Sequence, residues 1–587
     1  MSLMPAEKFR PEPRGEVQGT NLSTFQLPPA LDLLFRTKLG EWEKNQNSIR
    51  LRKGDASLWT GKDENKSLGW LTILDRQKTR LPELKAFATL VRDRKFSQVV
   101  ILGMGGSSLC TEVLAKTFAP ALGYPRLRIL DSTNPDQILA LEQSLDLDRT
   151  LFVVSSKSGT TLEPNIFRDY FYGVLQAKLG STQAAAHFIA ITDPGSELEK
   201  DAVLKGFLKV FHGDPSIGGR YSALSDFGMV PAACLGIDLG AFFDSASTMV
   251  EACNEPAGEN PGVRLGLALG VLAQNGHNKV TLLTSPEISD FGAWLEQLLA
   301  ESTGKDGKGL IPVAGEEMGP TDVYGGDRQF YYLRLKNGTN ARLDQSAESL
   351  IRAGHPLVRI DLDEGVLSIG QEFFRWEFAT AVVGSVLGIN PFDQPDVEAA
   401  KVEANQLMTD FDVNGELPAD RPFFQEGSLS FYSDEFNRTQ SRSESSSHGE
   451  AASRILRDHF SQINPGDYFA ILAFIEMNPK TEAILATLRI RIRDQFKIAT
   501  CVGFGPRFLH STGQAYKGGP NTGVFLQLTS RPRKDLAIPG HRYSFGTVQA
   551  AQARGDFEVL VKRGRRILRI DLGSDSLTGL DRLLTLI

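Results

Sequence analysis

The chain has 587 residues, of which 41% are hydrophobic and 23% charged, and its formal net charge is −7. A chain of this length and composition is expected to form about two to four globular domains. The acidic balance argues against a general nucleic-acid binder, and no apolar run is long enough to span a membrane. The four cysteines are far apart and lack the spacing of a zinc site, which is typical of a reduced, cytoplasmic protein.

Residues 1–95 are predicted to be mainly helical and connecting, with a polar leader at the start and with Trp59 and Trp70 as packing anchors. From residue 96 to 245, short apolar runs alternate with amphipathic stretches that favour helices. Strands are predicted at 98–102, 126–130, 150–155, 187–192 and 207–211. Buried strands joined by helices indicate βαβ units, so we predict an α/β domain with a parallel sheet covered on both faces.

The same alternation predicts a second α/β domain over residues 246–410, which ends in two helices. Its strands are expected at 279–283, 329–335 and 357–362, and its helices at 261–275, 288–300, 343–353, 369–387 and 396–409. Residues 437–453 are rich in serine and charge and are predicted to be a linker. Residues 454–587 are predicted to form a third, smaller α/β module, with strands at 468–475, 498–504, 523–529 and 566–572.

Two strand-to-helix turns carry the first chemical signals. GMGGSS places Gly106 and Ser107 where backbone N–H groups at a helix start can approach a ligand, although a tight structural turn explains this motif equally well. SSKSGTTLE gathers five hydroxyls and a lysine in one loop. A helix cap needs one hydroxyl, whereas a phosphate monoester needs several donors, so we predict a phosphate site. Its residues are Ser155, Ser156, Lys157, Ser158, Thr160 and Thr161.

Three further segments carry candidate site residues whose roles cannot be assigned from their spacing alone. In IGGRYSALS, Gly219 leaves the backbone bare and Arg220 supplies a fixed cation. In AWLEQLLAESTGKDGKG, Gln297 and Glu301 are four residues apart and therefore lie on one helix face, with Glu301 near the unfavourable end of the helix dipole.

The third segment, NPFDQPDVEAAK, carries Gln394 just before a predicted helix start and Lys401 about two turns into that helix. Each of the three segments also fits an ordinary turn or helix end with a surface side chain. Because ligands of open α/β sheets bind at the carboxyl ends of the strands, we expect the two strand-to-helix turns to share one crevice.

Together and in this order, the five motifs resemble the glucose-6-phosphate isomerase family over about residues 55–410. SSKSGTTLE and the pattern NPFDQxxVExxK are the most specific parts of the resemblance. It implies two sugar-isomerase (SIS) α/β domains with three-layer parallel sheets, followed here by the smaller C-terminal α/β module. The stretch 503–528 looks closest to the isomerase half of bacterial transaldolase/glucose-6-phosphate isomerase fusions.

The resemblance also implies an activity, the interconversion of glucose 6-phosphate and fructose 6-phosphate through a cis-enediol(ate). Glu301 would be the base, Arg220 would face the enediolate, and Lys401 would assist at the ring oxygen. The residues implied to bind the sugar and its phosphate are Gly106, Ser107, Ser156, Lys157, Ser158, Thr161, Gly219, Gln297 and Gln394. The expected partner is a small hexose phosphate, and no metal or other cofactor is implied.

One departure from the family pattern concerns ring opening. The segment 324–333, where the family has a histidine, carries Asp327 and Arg328 instead, and His355 lies further on. We predict that His510, in a polar loop of the C-terminal module, replaces the missing acid/base. A satisfied loop histidine is the alternative, and Arg328 is a second candidate for the charge at the ring oxygen.

Three questions stay open at this point. The substrate could be another sugar phosphate such as mannose 6-phosphate, since these residues do not separate hexose epimers. A sugar-phosphate-binding regulator without chemistry would need the phosphate loop but not Glu301, Arg220 and Lys401. The family is usually a dimer with a shared site, but a C-terminal module that completes the site in cis would also permit a monomer. No nucleic-acid or membrane partner is expected.

Overall fold

The computed structural model of the chain describes residues 19–433 and 448–587. The N-terminal region contains strand β1 (Leu22–Gln26) and helices α1 (Pro29–Lys44), α2 (Asn47–Arg52) and α3 (Ile73–Asp93). β1 adds a strand to a region that was predicted to be mainly helical and connecting. It pairs antiparallel with residues 357–361, far along the chain, so its local sequence gives little sign of the pairing. Trp59 and Trp70 are both buried, as predicted.

The first domain is built on a fully parallel sheet in the spatial order β3-β2-β4-β5-β6. All five strands lie where the apolar runs predicted them. The strands are β2 (Gln98–Gly103), β3 (Arg126–Leu130), β4 (Thr150–Ser155), β5 (Phe188–Thr192) and β6 (Lys209–His212). The helices are α4 (Leu109–Thr117), α5 (Pro135–Gln143), α6 (Leu162–Leu179), α7 (Ser181–Ala185), α8 (Glu197–Lys205), α9 (Asp226–Cys234) and α10 (Leu239–Ala252).

The second domain has the strand order β1-β10-β9-β7-β8, in which only β1 is antiparallel. The strands are β7 (Lys279–Thr284), β8 (Ile311–Val313), β9 (Arg328–Leu335) and β10 (Leu357–Leu362). The helices are α11 (Pro261–Gln274), α12 (Phe291–Thr303), α13 (Ala341–Arg352), α14 (Ile369–Leu387) and α15 (Pro395–Asn414). The three-residue strand β8 was not predicted, because so short an apolar run has no periodicity of its own.

The third module has the strand order β11-β12-β16-β15-β13-β14. The strands are β11 (Phe424–Glu426), β12 (Leu429–Tyr432), β13 (Tyr468–Phe474), β14 (Ala499–Phe504), β15 (Gly523–Thr529) and β16 (Arg566–Asp571). The helices are α16 (His448–Phe460), α17 (Pro479–Phe496), α18 (Gly513–Gly518), α19 (Phe545–Lys562) and α20 (Ser576–Leu586). The sheet therefore begins before residue 454, the predicted start of the module.

The predicted linker 437–453 is wrong from residue 448 onward, because α16 begins at His448. Residues 437–447 of that prediction, like the predicted leader, lie outside the described part of the chain.

The three sheets share one topology. When the parallel strands of each sheet are numbered in chain order, their spatial order is 2-1-3-4, and the first sheet adds a fifth strand. In the second and third sheets, an antiparallel strand from the preceding segment covers the edge of the fourth strand: β1 on β10 and β12 on β16. The architecture confirms the predicted α/β fold class and shows that the third module repeats the plan of the two larger domains.

Alternate residues of the central strands face different cores, which makes each domain three layers thick. In β2, Val99 and Ile101 join a core that reaches into the second domain, whereas Val100 and Leu102 face the opposite side, with α6 and part of the third module. Side chains of the third sheet pack in the same way on two separate clusters. Within the described residues, no helix combines the length and apolarity needed to cross a membrane.

Candidate active site

Two glycine-containing turns meet at the carboxyl end of the first sheet. Gly106 lies in the turn Gly105–Ser107 after β2, and Gly219 begins the turn Gly219–Tyr221. A Cβ atom at Gly106 would overlap the carbonyl oxygen of Gly219. At Gly105 the backbone is left-handed, and a Cβ atom would lie 2.8 Å from the side-chain nitrogen of Gln297. Glycine is therefore required here because three segments of backbone and side chain converge.

Arg220 is the most connected side chain of this region and is 2% exposed. Its Nε donates to Ser302 Oγ at 2.7 Å, and its Nη1 donates to Gln394 Oε1 at 2.9 Å. Its Nη2 donates to the carbonyl oxygens of Pro391 and Asp393. The guanidinium thus joins the first domain to two segments of the second and is held as a fixed charge, as the motif predicted.

The carboxylate of Glu301 lies against this guanidinium, with Oε1 3.3 Å from Arg220 Nη1. Gln297, one turn earlier on α12, donates through Nε2 to Glu301 Oε2 at 3.0 Å. The same nitrogen donates to the carbonyl oxygen of His510 at 2.8 Å. The predicted helix face is therefore confirmed, and it is buried beside Arg220 and a residue of the third module.

The hydroxyl-rich loop begins where β4 ends, next to β2. Ser155 and Ser156 are buried, and neither hydroxyl has a hydrogen-bond partner among the described residues. Lys157 is ion-paired with Asp193, and Ser158 is exposed, with its Oγ 2.9 Å from that of Thr160. Thr161, although it precedes α6, makes no side-chain cap to that helix. The hydroxyls of Ser155 and Ser156 therefore have no hydrogen-bond partner among the described residues, and that of Thr161 does not cap α6.

His510 reaches the same place from the third module. Its Nε2 lies 3.0 Å from Oε1 of Glu163, in the first turn of α6, and Gln552 Nε2 donates to the same oxygen at 2.7 Å. Burial opposes ionisation, but the charge and hydrogen bond of His510 hold the pKa of Glu163 below its usual range. Glu163 was not singled out from the sequence, although it ends the motif SSKSGTTLE and so lies one helical turn from the phosphate loop.

Gln394 and Lys401 have different surroundings. Gln394 immediately precedes α15 and accepts from Arg220, as described above. Lys401 pairs with Glu398 at 2.9 Å, and its side chain is 42% exposed. Its charge contributes to the lowered pKa of Glu163. The structure therefore places Gln394 inside the cluster and Lys401 at its edge, where the described residues show no hydrogen bond or ion pair between Lys401 and the other predicted residues.

Lys305 is a buried cation that sequence reasoning missed. Its Nζ donates to the carbonyl oxygens of Asn390 and Asp393, and it lies 2.6 Å from Asp393 Oδ1. Burial and the nearby charge of Arg220 lower the pKa of Lys305 to about 8. Arg220 and Lys305 together hold the backbone that leads into Gln394. A lysine four residues after the predicted base was the available signal.

Arg328 is not part of this cluster, which corrects its candidacy for the ring oxygen. Its guanidinium is fully buried, pairs with Glu316 at 2.7 Å and donates to Thr281 and to the carbonyl oxygen of Ile498. It therefore joins the second sheet to the third module. His355 packs against aromatic rings of the second domain and is likewise remote from the cluster.

Comparisons with known proteins show to which family the chain is similar. The family model described as phosphoglucose isomerase matches residues 86–315. A glucose-6-phosphate isomerase of Trichormus variabilis is 30% identical, over 59% of this chain and 76% of its own length. One of Rubrobacter xylanophilus is 29% identical, over 56% of this chain and 86% of its own length.

Two solved structures share the fold. A hypothetical protein from Thermus thermophilus matches with a TM-score of 0.58 and 25% identity, over 67% of this chain and 100% of its own. A glucose-6-phosphate isomerase from Chlamydia trachomatis matches with a TM-score of 0.56 and 21% identity, over 69% of this chain and 92% of its own. The predicted SIS-type fold class is confirmed, whereas the likeness to one half of a fusion protein stays a prediction. The chain belongs to the phosphoglucose isomerase family.

Proposed function

We propose that the chain interconverts glucose 6-phosphate and fructose 6-phosphate by proton transfer through a cis-enediol(ate). The observation that carries the proposal is the pair formed by Glu301 and Arg220, a buried carboxylate whose oxygen is 3.3 Å from a fixed guanidinium. Removal of a weakly acidic carbon-bound proton needs a base and a charge that stabilises the developing oxyanion. Family membership and relatives named as glucose-6-phosphate isomerases support the same reaction.

The hydroxyl-rich loop is the proposed phosphate site. Ser156, Ser158 and Thr161 supply donors at the start of α6, where the helix dipole also favours an anion. Lys157 adds a positive charge, although Asp193 shares it. Phosphate binding remote from the reacting carbons can hold them in register with the base. Gly106, Ser107, Gly219, Gln297 and Gln394 are proposed to line the sugar.

The chemistry begins with ring opening, since the closed ring hides the carbonyl group. His510, oriented by Glu163, moves a proton between the anomeric hydroxyl and the ring oxygen, with Lys401 assisting at that oxygen. Glu301 then removes the proton from carbon 2 of the aldose and returns it to carbon 1, forming the ketose. Arg220 stabilises the negative charge on the enediolate between the two transfers.

We also propose where and with what the chain works. The ligand is a hexose phosphate, with no nucleic acid or membrane partner and no metal or other cofactor. A cytoplasmic location is supported by four cysteines that are all buried and unpaired. A single chain is proposed to hold a complete site because His510 arrives from the same chain.

A coupled assay tests the function. Purified chain supplied with fructose 6-phosphate should produce glucose 6-phosphate, detected by a dehydrogenase specific for that product. Parallel assays with mannose 6-phosphate define the epimer. Faster turnover of mannose 6-phosphate would identify a different SIS isomerase. Tight binding of fructose 6-phosphate by calorimetry without turnover of any hexose phosphate would identify a regulator.

A further inference from the structure

Gln514, in the short helix α18 of the third module, bridges two segments of the candidate active site. Its side chain is fully buried. Its Oε1 accepts from the backbone N–H groups of Asp396 and Val397, at 2.9 and 3.1 Å. Its Nε2 donates to the carbonyl oxygen of Gly304 at 2.9 Å and to Asp396 Oδ2 at 2.6 Å. Both atoms of the amide group therefore have two partners each.

The contacts with Asp396 and Val397 supply a cap that α15 lacks. Its own N-cap residue, Gln394, makes no side-chain cap, because its amide oxygen accepts from Arg220 instead. Pro395 occupies the first helical position and has no N–H group, so the first free donors are those of Asp396 and Val397. Gln514 satisfies these donors from outside the helix and leaves Gln394 available to the site.

The contact with Gly304 fixes the end of the other helix. Gly304 immediately follows α12, the helix that carries Gln297 and Glu301. A Cβ atom at Gly304 would overlap Ala515, so α18 packs directly on this helix end. One side chain therefore joins the C-terminus of the helix with the proposed base to the N-terminus of the helix with Lys401.

We propose that Gln514 is a positioning residue, which sets the distance between Glu301 and the pair Gln394 and Lys401. This inference rests on the proposed function for its kinetic readout. A displacement of about 1 Å in a catalytic group can lower a rate by about a hundredfold. Gln514→Ala is therefore expected to lower kcat for fructose 6-phosphate by tenfold or more, with KM changed less than threefold, because the phosphate loop is untouched.

Gln549→Ala is the matched control. Gln549 is also a buried amide of the third module and receives a hydrogen bond from Asn134 of the first domain, but within the described part of the chain it makes no hydrogen bond to a proposed site residue. This control should lose a similar amount of thermal stability and keep kcat within twofold. Gln514→Met is a milder variant that keeps the length of the side chain but loses both the acceptor for α15 and the donor to Gly304, so its kcat should fall between those of the wild type and Gln514→Ala.

Hydrogen–deuterium exchange provides a readout that does not depend on turnover. Gln514→Ala or, if that variant does not fold, Gln514→Met should speed exchange of the backbone amides of Asp396 and Val397, whereas Gln549→Ala should not. Unchanged exchange there, or an equal loss of kcat in the Gln514 and Gln549 variants, would overturn the positioning role. Absence of hexose phosphate turnover in the wild type would instead count against the proposed function, while the exchange result would still decide the role of Gln514.

Discussion

Two buried cations, Arg220 and Lys305, lie near one carboxylate at the centre of the site. Arg220 contacts Glu301 directly, and Lys305 feels the charges of both Arg220 and Glu301. The two cations also hold the carbonyl oxygens of the segment 390–393. The charge of Arg220 is permanent, whereas that of Lys305 depends on pH. When Lys305 loses its proton at alkaline pH, its contacts with the segment 390–393 should weaken.

Turnover of fructose 6-phosphate is expected to fall as pH rises through about 8, where Lys305 loses its proton. The effect of pH on stability has the opposite sign to its effect on turnover, because the pKa of Lys305 in the folded chain lies below its usual value of 10.5. Between these values the unfolded chain binds more protons, so the contribution of Lys305 to the free energy of unfolding grows as pH rises.

The measurement is kcat from pH 6 to 10 for the wild type and for Lys305→Arg, whose guanidinium stays charged. The alkaline loss should shift upward in the variant. Superimposable profiles of the two proteins would remove Lys305 from the pH dependence.

His510→Ala is expected to slow turnover of fructose 6-phosphate by about a hundredfold, within the range of general acid–base catalysis. The same variant should change turnover of 5-deoxyfructose 6-phosphate less than about threefold, because this analogue cannot close the five-membered ring. His212→Ala is the control, since His212 is exposed and its one ion pair within residues 19–433 and 448–587 is with Glu199. Equal slowing of both substrates would exclude His510 from ring opening.

Most residues of the candidate site could be proposed from the sequence, because the proposed reaction needs particular residue types. Hydroxyls, glycines and the pair Gln297 and Glu301 are recognisable from spacing and from the family resemblance. Glu163 and Lys305 were missed because a carboxylate in a first helical turn and a lysine in a loop are common on surfaces. Only their tertiary partners, His510 and the carbonyl groups near Asp393, distinguish them.

Among the elements, the short turn Arg507–His510 brings His510, the proposed acid/base, next to Glu163, and Arg507 anchors the turn. The Arg507 guanidinium lies 2.6 Å from Glu112 and 2.7 Å from Asp131 of the first domain. Burial opposes ionisation of both carboxyl groups. The pKa of Glu112 nevertheless stays below its usual value because of Arg507, whereas burial raises that of Asp131. The turn is therefore held by a half-buried cation between two buried acids.

Arg507→Met is expected to lower the free energy of unfolding by about 3–5 kcal/mol, because it leaves buried carboxyl groups without their cation. Urea unfolding followed by circular dichroism measures this change. Arg491→Met, which removes an exposed arginine, should cost less than about 0.5 kcal/mol. A loss below about 1 kcal/mol for Arg507→Met would show that the turn is held by other contacts.

Element prediction was most accurate for parallel strands. The ranges 126–130, 150–155, 357–362 and 523–529 were predicted with the bounds that the structure shows, because short runs rich in Leu, Ile, Val and Phe between turns are distinctive. β1 was missed because it is short and pairs antiparallel with β10, far along the chain. β11 and β12 form a local hairpin of only three and four residues, and the distant pairing of β12 with β16 has no sign in the local sequence.

On the scale of the whole molecule, three sheets of one topology surround the site, and the third module supplies both His510 and Gln514. A third α/β module therefore brings these contacts to the site within a single chain. The strand order of this module was not predicted, since nothing in its sequence pattern specifies which strands are neighbours.

Mixing two inactive variants tests whether the site is complete in one chain. If Glu301 and His510 act within the same chain, a mixture of Glu301→Gln and His510→Ala should show only the sum of the separate activities. Light scattering of the same samples gives the oligomeric state, and unfolding and refolding the mixture ensures exchange of subunits. Restored activity well above the sum would show that the site is shared between two chains.

The central claim, that Glu301 is the base of an aldose–ketose isomerase, is tested most directly by Glu301→Gln. This change keeps the size of the side chain and its place beside Arg220 but removes the proton acceptor. The measurement is kcat for fructose 6-phosphate, with the fold checked by circular dichroism and affinity by calorimetry. We predict a fall of about 10²–10⁴-fold in kcat with little change in affinity. A correctly folded variant with kcat within twofold of the wild type would contradict the account.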